Sequence, residues 1–140
     1  MKTVHNFSGK VEWLLSRPNK YNKYTMNFFP KDPGVRKAVK ETGIKNSPKV
    51  SEKGDLEGQM FYIFRSDQPF VVTTPDGEPV TSMIGNGSEI TVRLEVERFV
   101  SPTHGPTARS KVIGVVVDNL IPYVKAVVTE EKDEPPALPA

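Results

Sequence analysis

Two kinds of side chain keep company in the first half of the sequence: cations and aromatics. Lys10 and Arg17 flank Trp13, and Lys20 and Lys23 interleave with Tyr21 and Tyr24. Phe61 shares one face of a later apolar run with Arg65, and Tyr62 takes the other. A single-stranded polynucleotide is bound by this combination. Ammonium and guanidinium groups neutralise phosphates and release counterions. Aromatic faces accept unstacked bases, worth about 1–3 kcal/mol each, without distinguishing between bases. Each residue also has a plainer reading. Tyr24, Met26 and Phe28 alternate as one strand face, and one face of a strand is normally core. Trp13 would equally plug the end of a barrel, and Lys45, Lys49 and Lys53 would equally solvate a loop.

Covalent chemistry finds little support. The chain has no cysteine, so disulfides, thiolate metal sites and a cysteine nucleophile are excluded. Its two histidines, His5 and His104, lie far apart, and no nucleophile-elbow motif accompanies them. The acids are scattered without the spacing of a metal cage. Gly85-Asn86-Gly87-Ser88 resembles a phosphate loop only superficially. It lacks a following Gly-Lys-Ser/Thr and precedes a strand, so it reads as a sharp turn. No catalytic residue, metal or cofactor is expected, and the chain reads as a non-enzymatic binding or structural protein.

The charge distribution points the same way. Net charge is +2, but residues 1–65 carry 13 Lys/Arg against 6 Asp/Glu, whereas residues 129–140 carry 1 against 4. A basic front and an acidic end suit a polyanionic partner, with a tail able to compete for the same surface. No apolar run reaches membrane-spanning length and no signal-peptide core is visible, so a cytoplasmic protein is expected. At 140 residues the chain reads as one domain, 1–128, with an acidic, proline-rich and disordered tail, 129–140.

The elements that must position these groups are organised around Ser82–Val100. After Gly85-Asn86-Gly87, Ile90, Val92, Leu94 and Val96 point one way, and Glu89, Thr91, Arg93, Glu95 and Glu97 the other. This is a long strand with one oily and one wet face, of the kind found in small barrels. Further strands are predicted at 10–15, after a break at Gly9, and at 20–29, 59–65, 70–73 and 109–123, with a bulge or bend at Gly114. One short helix is predicted over 34–43, with Asp32 as its cap, Pro33 at its first position and Gly43 as its stop. Residues 44–58 and 101–108 read as loops. The outcome is an all-β barrel with one short helix, in which an OB-fold fits the strand count. The pattern alone does not separate it from another small barrel.

Several weak motifs in a fixed order sharpen this. Gly9-Lys10-Val11-Glu12-Trp13 precedes Arg17-Pro18-Asn19 and Tyr24-Thr25-Met26-Asn27-Phe28. Pro30-Lys31-Asp32-Pro33 stands before the helix, then come Pro75-Asp76-Gly77, Ile84-Gly85-Asn86-Gly87-Ser88 and a closing KVIGVVVDNLIPY. Over about residues 8–123 the chain resembles the OB-fold single-stranded DNA-binding proteins of tailed bacteriophages, of the podophage helix-destabilising type. Its tail departs from theirs, with only four acids and a final Ala140.

The resemblance implies a protein that coats and protects single-stranded DNA, without sequence preference, during phage replication and recombination. Bases are then expected on Trp13, Tyr21, Phe61 and Tyr62, and phosphates at Lys10, Arg17, Lys20, Lys23, Arg65 and Arg93. It also implies replication proteins as partners through the acidic tail, a monomer or homodimer, and no membrane. Two alternatives stay open on the sequence: an RNA-binding module of OB or cold-shock type, and a structural or assembly β-barrel.

Overall fold

The computed structural model describes residues 2–14 and 18–121. Within them lie β1 (Lys2–Glu12), β2 (Tyr24–Pro30), α1 (Pro33–Glu41), β3 (Lys49–Val50), β4 (Met60–Ser66), β5 (Val72–Thr73), β6 (Ser88–Ser101) and β7 (Gly105–Asn119). The strands form one sheet in the order β3-β4-β2-β1-β6-β7-β5. Every pairing is antiparallel except β5 with β7. β4 also approaches β7, so the sheet curls towards closure. The five long strands thus make a partly open OB barrel.

β6 is its spine. It pairs with β1 from Lys2↔Glu97 to Val11↔Ser88 on one side and with β7 along its full length on the other. The alternation read from the sequence holds, since Ile90, Val92, Leu94 and Val96 are completely buried. They meet Phe7 and Val11 of β1, Met26 and Phe28 of β2, Tyr62 and Phe64 of β4, and Val112, Val115 and Val117 of β7. The Phe28 and Phe64 rings stack at 5.4 Å. The register slips between Arg93↔Gly114 and Leu94↔Val112, which leaves Ile113 as the extra residue of a bulge beside Gly114. α1 also matches expectation. The Asp32 carboxylate accepts the Val35 N–H at 2.9 Å, Pro33 opens the helix, and Val39 is its buried anchor.

Several boundaries differ from the sequence reading. Residues 44–58, expected as a loop, contain β3, which pairs with β4 through Lys49↔Phe61 and Val50↔Met60. The first strand lies at 2–12 rather than 10–15, because the long β6 recruits the N-terminal residues as a partner. Gly9 does not break that strand. It permits close packing instead, since a Cβ there would overlap the Phe29 carbonyl oxygen and touch the Phe28 ring at 2.9 Å. The second strand starts at Tyr24 rather than residue 20. The Asn19 side chain accepts N–H groups from Tyr21 and Lys23, and Asn22 adopts a left-handed φ of 65°, so 19–23 is a turn. Of 70–73 only Val72 and Thr73 pair as strand. Residues 101–108 are largely strand. The Ser101 hydroxyl accepts N–H groups from Thr103 and His104, Gly105 turns at φ 71°, and β7 begins at once. The proposed boundary at residue 128 and the tail 129–140 lie outside the described residues.

Candidate nucleic-acid interface

Residues opposite one another in adjacent strands emerge on the same face. Outside the barrel, the register lines up Lys49 of β3, Phe61 of β4, Phe29 of β2, Lys10 of β1 and Glu89 of β6 as one row across the sheet. A second row holds Ile63, Asn27 and Glu12, and a third holds Arg65 and Thr25. Towards the other end of β1, Asn6 pairs with Arg93, whose side-chain stem lies 3.6 Å from where Gly114 would carry a Cβ. From Asn6 to Glu12 this face runs roughly 20 Å at the usual strand rise.

At its upper end is an open groove of about 910 Å³, lined by Trp13, Phe61, Asn27, Glu12, Asn86 and the 49–55 segment with Lys49 and Lys53. Phe61 is braced from beneath by Phe29, with ring centroids 5.1 Å apart, and Phe29 is only 2% exposed although it faces outwards. Phe29 also lines a neighbouring depression of about 420 Å³ together with Lys10, Lys31, Gln59 and Glu89. The touching phenylalanines therefore stand between two hollows on the same face.

Trp13 reaches the groove by leaving the strand pattern. Alternation with Val11 would have sent it into the core. Instead its φ is 54°, a left-handed conformation costing a side-chain-bearing residue about 1–2 kcal/mol. The Gly-Asn-Gly turn holds it there. Asn86 Oδ1 accepts the Trp13 N–H at 2.8 Å, and the Gly87 N–H, at φ 92°, reaches the Val11 carbonyl at 2.8 Å. The turn is tied on its other side by the Gly85 N–H, which donates to the Ile121 carbonyl at 2.8 Å. A segment legible only as the start of β6 therefore also places the sole tryptophan.

The expected site residues thus divide. Trp13 and Phe61 share the groove, Lys10 and Arg65 lie on the same sheet face, and Arg93 lies further along it. Tyr21 projects from the 19–23 turn, 69% exposed, with the Lys20 Nζ 5.2 Å from its ring centre. Lys23 is ion-paired with Asp67, and that hydrogen bond and charge hold the Asp67 carboxyl below the usual carboxylate range. Arg17 lies outside the described residues.

Tyr62 is not on this face. It is 4% exposed, stacks on Phe64 at 6.2 Å, and is a core residue, as period-two alternation with exposed Arg65 demands. Burial pushes its phenol pKa up, against the opposing influence of Arg36. It borders a separate groove of about 640 Å³ beside α1, with Arg36, Lys37, Lys40 and Lys45 around it.

Several members of the face were not among the expected site residues: Phe29, Asn27, Glu12 and Asn86, together with Lys49 and Lys53, which the sequence offered equally as loop-solvating lysines. The signal for Phe29 and Asn27 was present, since they alternate with Met26 and Phe28 and so share the wet face. Glu12 is the unusual one, with its carboxyl pKa raised by burial and secondarily by the charge of Asp55. Among the described residues no group of three or more His, Cys, Asp or Glu could hold a metal ion, and no helix is long and apolar enough to cross a membrane.

No family model and no curated protein sequence matches the chain. Solved structures do. The single-stranded DNA-binding protein from bacteriophage Enc34 superposes with a TM-score of 0.60 and 13% identity, over 90% of this chain and 87% of that one. The same protein in complex with single-stranded DNA gives 0.59 and 14%, over 86% and 89%. Bacteriophage T7 gp2.5, a single-stranded DNA-binding protein, gives 0.53 and 15%, over 90% and 91%. The chain therefore shares, along most of its length, the fold of these phage proteins.

Proposed function

We propose that this protein binds single-stranded DNA on the outer face of β4, β2, β1 and β6, and does so as a coating protein without catalysis. The observation that carries the reading is the groove shared by Trp13 and Phe61 with Lys49 and Lys53 on its rim. Two aromatic faces on rigid supports accept bases, and the cations along the face and the 19–23 turn, including Lys10, Lys20, Arg65 and Arg93, follow the phosphates. The strand face and the loop after the first strand are the regions OB-folds use for oligonucleotides. The phage proteins of the same fold are named for single-stranded DNA binding, and one is solved with the DNA bound. A role in phage DNA replication and recombination, in the host cytoplasm, accords with this. The acidic segment 129–140 acts as a competitor for the cationic face.

The test is titration of Trp13 fluorescence with oligo-dT at low and moderate salt. Quenching is expected, with an affinity that falls by a log–log slope of about −0.7 per phosphate neutralised. Absence of both quenching and a gel shift would discard DNA binding and leave a structural barrel.

A further inference from the structure

Glu12 is a carboxylate in an unexpected place. It ends β1 on the outer face, it is 9% exposed, and it lines the groove between Trp13 and Phe61. Among the described residues no hydrogen-bond donor and no cation reaches its side chain. Its closest charged influence is a second acid, Asp55. An ionised carboxylate removed from water without a donor is costly, so buried ones are normally paired. No described residue pairs this one, and a phosphate cannot, being of like charge.

A base edge can. A carboxylate only accepts hydrogen bonds, so it sorts bases by their donors. The Watson–Crick edge of guanine presents two adjacent donors, N1–H and the N2 amino group. Cytosine and adenine each offer one amino group beside an acceptor. Thymine offers one N–H between two carbonyl oxygens, both of which repel a carboxylate. Asn27, the partner of Glu12 across the β1–β2 ladder, adds an amide able to donate to guanine O6 on the same edge. We propose that Glu12, with Asn27 beside it, reads the base stacked in the Trp13–Phe61 groove and favours guanine over thymine. This rests on the single-stranded DNA reading of the same face. It concerns one base per bound protein and leaves the rest of the strand to be held by phosphate contacts and stacking.

The charged groups around Glu12 are Asp55, Glu52 and Lys53 of the 51–55 loop and Lys49 of β3. Burial and Asp55 hold the Glu12 carboxyl above the usual range, so it takes up a proton before exposed carboxylates do. Once protonated it both donates and accepts, and thymine is no longer turned away.

The experiment titrates the full chain with short oligo-dT and with a strand of equal length carrying guanine at every third position. Both titrations use one salt concentration and mildly alkaline pH, and follow Trp13 fluorescence and the anisotropy of labelled strand. The guanine-bearing strand is expected to bind about fivefold tighter, the low end of discrimination by one bidentate contact. The preference should vanish in Glu12→Met, which keeps the bulk of the side chain and removes the carboxylate acceptor. If that variant does not fold, the wild-type protein carries the test alone, because its preference should fade as pH falls. Equal affinity for both strands, or a preference that survives Glu12→Met or acid, overturns the role of Glu12 and leaves strand binding intact. Failure of both strands to bind overturns the proposed function itself.

Discussion

Phe61 and Tyr62 are neighbours in β4, and their truncations should fail in different assays. Phe61 points into the groove and rests on Phe29, whereas Tyr62 points into the barrel and rests on Phe64. Removing the Tyr62 ring leaves a cavity in a packed core, and large aromatic truncations there cost about 3–5 kcal/mol. Against a total stability of roughly 5–15 kcal/mol, Tyr62→Ala should markedly lower the denaturant midpoint. Its folded fraction should still bind oligo-dT with near wild-type affinity. Phe61→Ala forfeits a stacking platform worth about 1–3 kcal/mol, which is roughly 5- to 150-fold in affinity. Its cost in stability is mainly the contact with Phe29, about 0.5–1.5 kcal/mol for an aromatic pair. Urea unfolding gives the first quantity, and anisotropy of a labelled oligo-dT at fixed salt the second. Tyr62→Ala that weakens binding while leaving the midpoint unchanged would refute the orientation of β4, and Phe61→Ala with unchanged affinity would refute the groove as the base site.

Three further outcomes follow from the same geometry. Gly9→Ala should destabilise by about 3 kcal/mol, the upper end for overpacking, because its methyl would overlap the Phe29 carbonyl oxygen and press on the Phe28 ring; a denaturation curve matching wild type would contradict the close β1–β2 approach. Asn86→Ala removes the acceptor that holds Trp13 in its left-handed conformation, so oligo-dT affinity should fall severalfold and the tryptophan emission should shift, with unchanged emission and affinity counting against this clamp. Glu12→Gln should stabilise the fold at neutral pH. The folded carboxyl holds its proton more tightly than the unfolded one, so the wild-type contribution is present below the ordinary value of 4.5 and is lost as pH rises through the raised folded pKa. The two proteins should therefore converge in stability in acid, and a gap that stays constant with pH would show that ionisation of Glu12 is not its source.

Much of the scaffold was legible because it depends on local periodicity. Ile90 to Val96 alternate on a strand too long for another reading, and burial of that face follows. The helix announced itself through Asp32, Pro33 and Gly43, each needed for its own backbone reason, and Gly114 marked the bulge. The sidedness of Phe61 and Arg65 was likewise readable, and it places Tyr62 in the core once the period of two is applied strictly. The phenol ring of Tyr62 has the chemistry of a stacking residue, but its place in the alternation sends it inwards.

What the sequence could not supply were relations between distant segments. The first strand begins at Lys2 because β6 offers ten residues of partner, which no window around Gly9 contains. The ion pair of Lys23 with Asp67 joins residues 44 apart in sequence. Trp13 leaves its strand because Asn86, 73 residues on, takes its N–H, and Glu12 shares its groove with the 51–55 segment and with Asn27 of β2. Local sequence determined which residues alternate, cap and turn, since those preferences act within a few residues of the backbone. Only tertiary structure decided which of the wet-face residues meet in one groove, because that depends on strand register and loop closure across the whole chain.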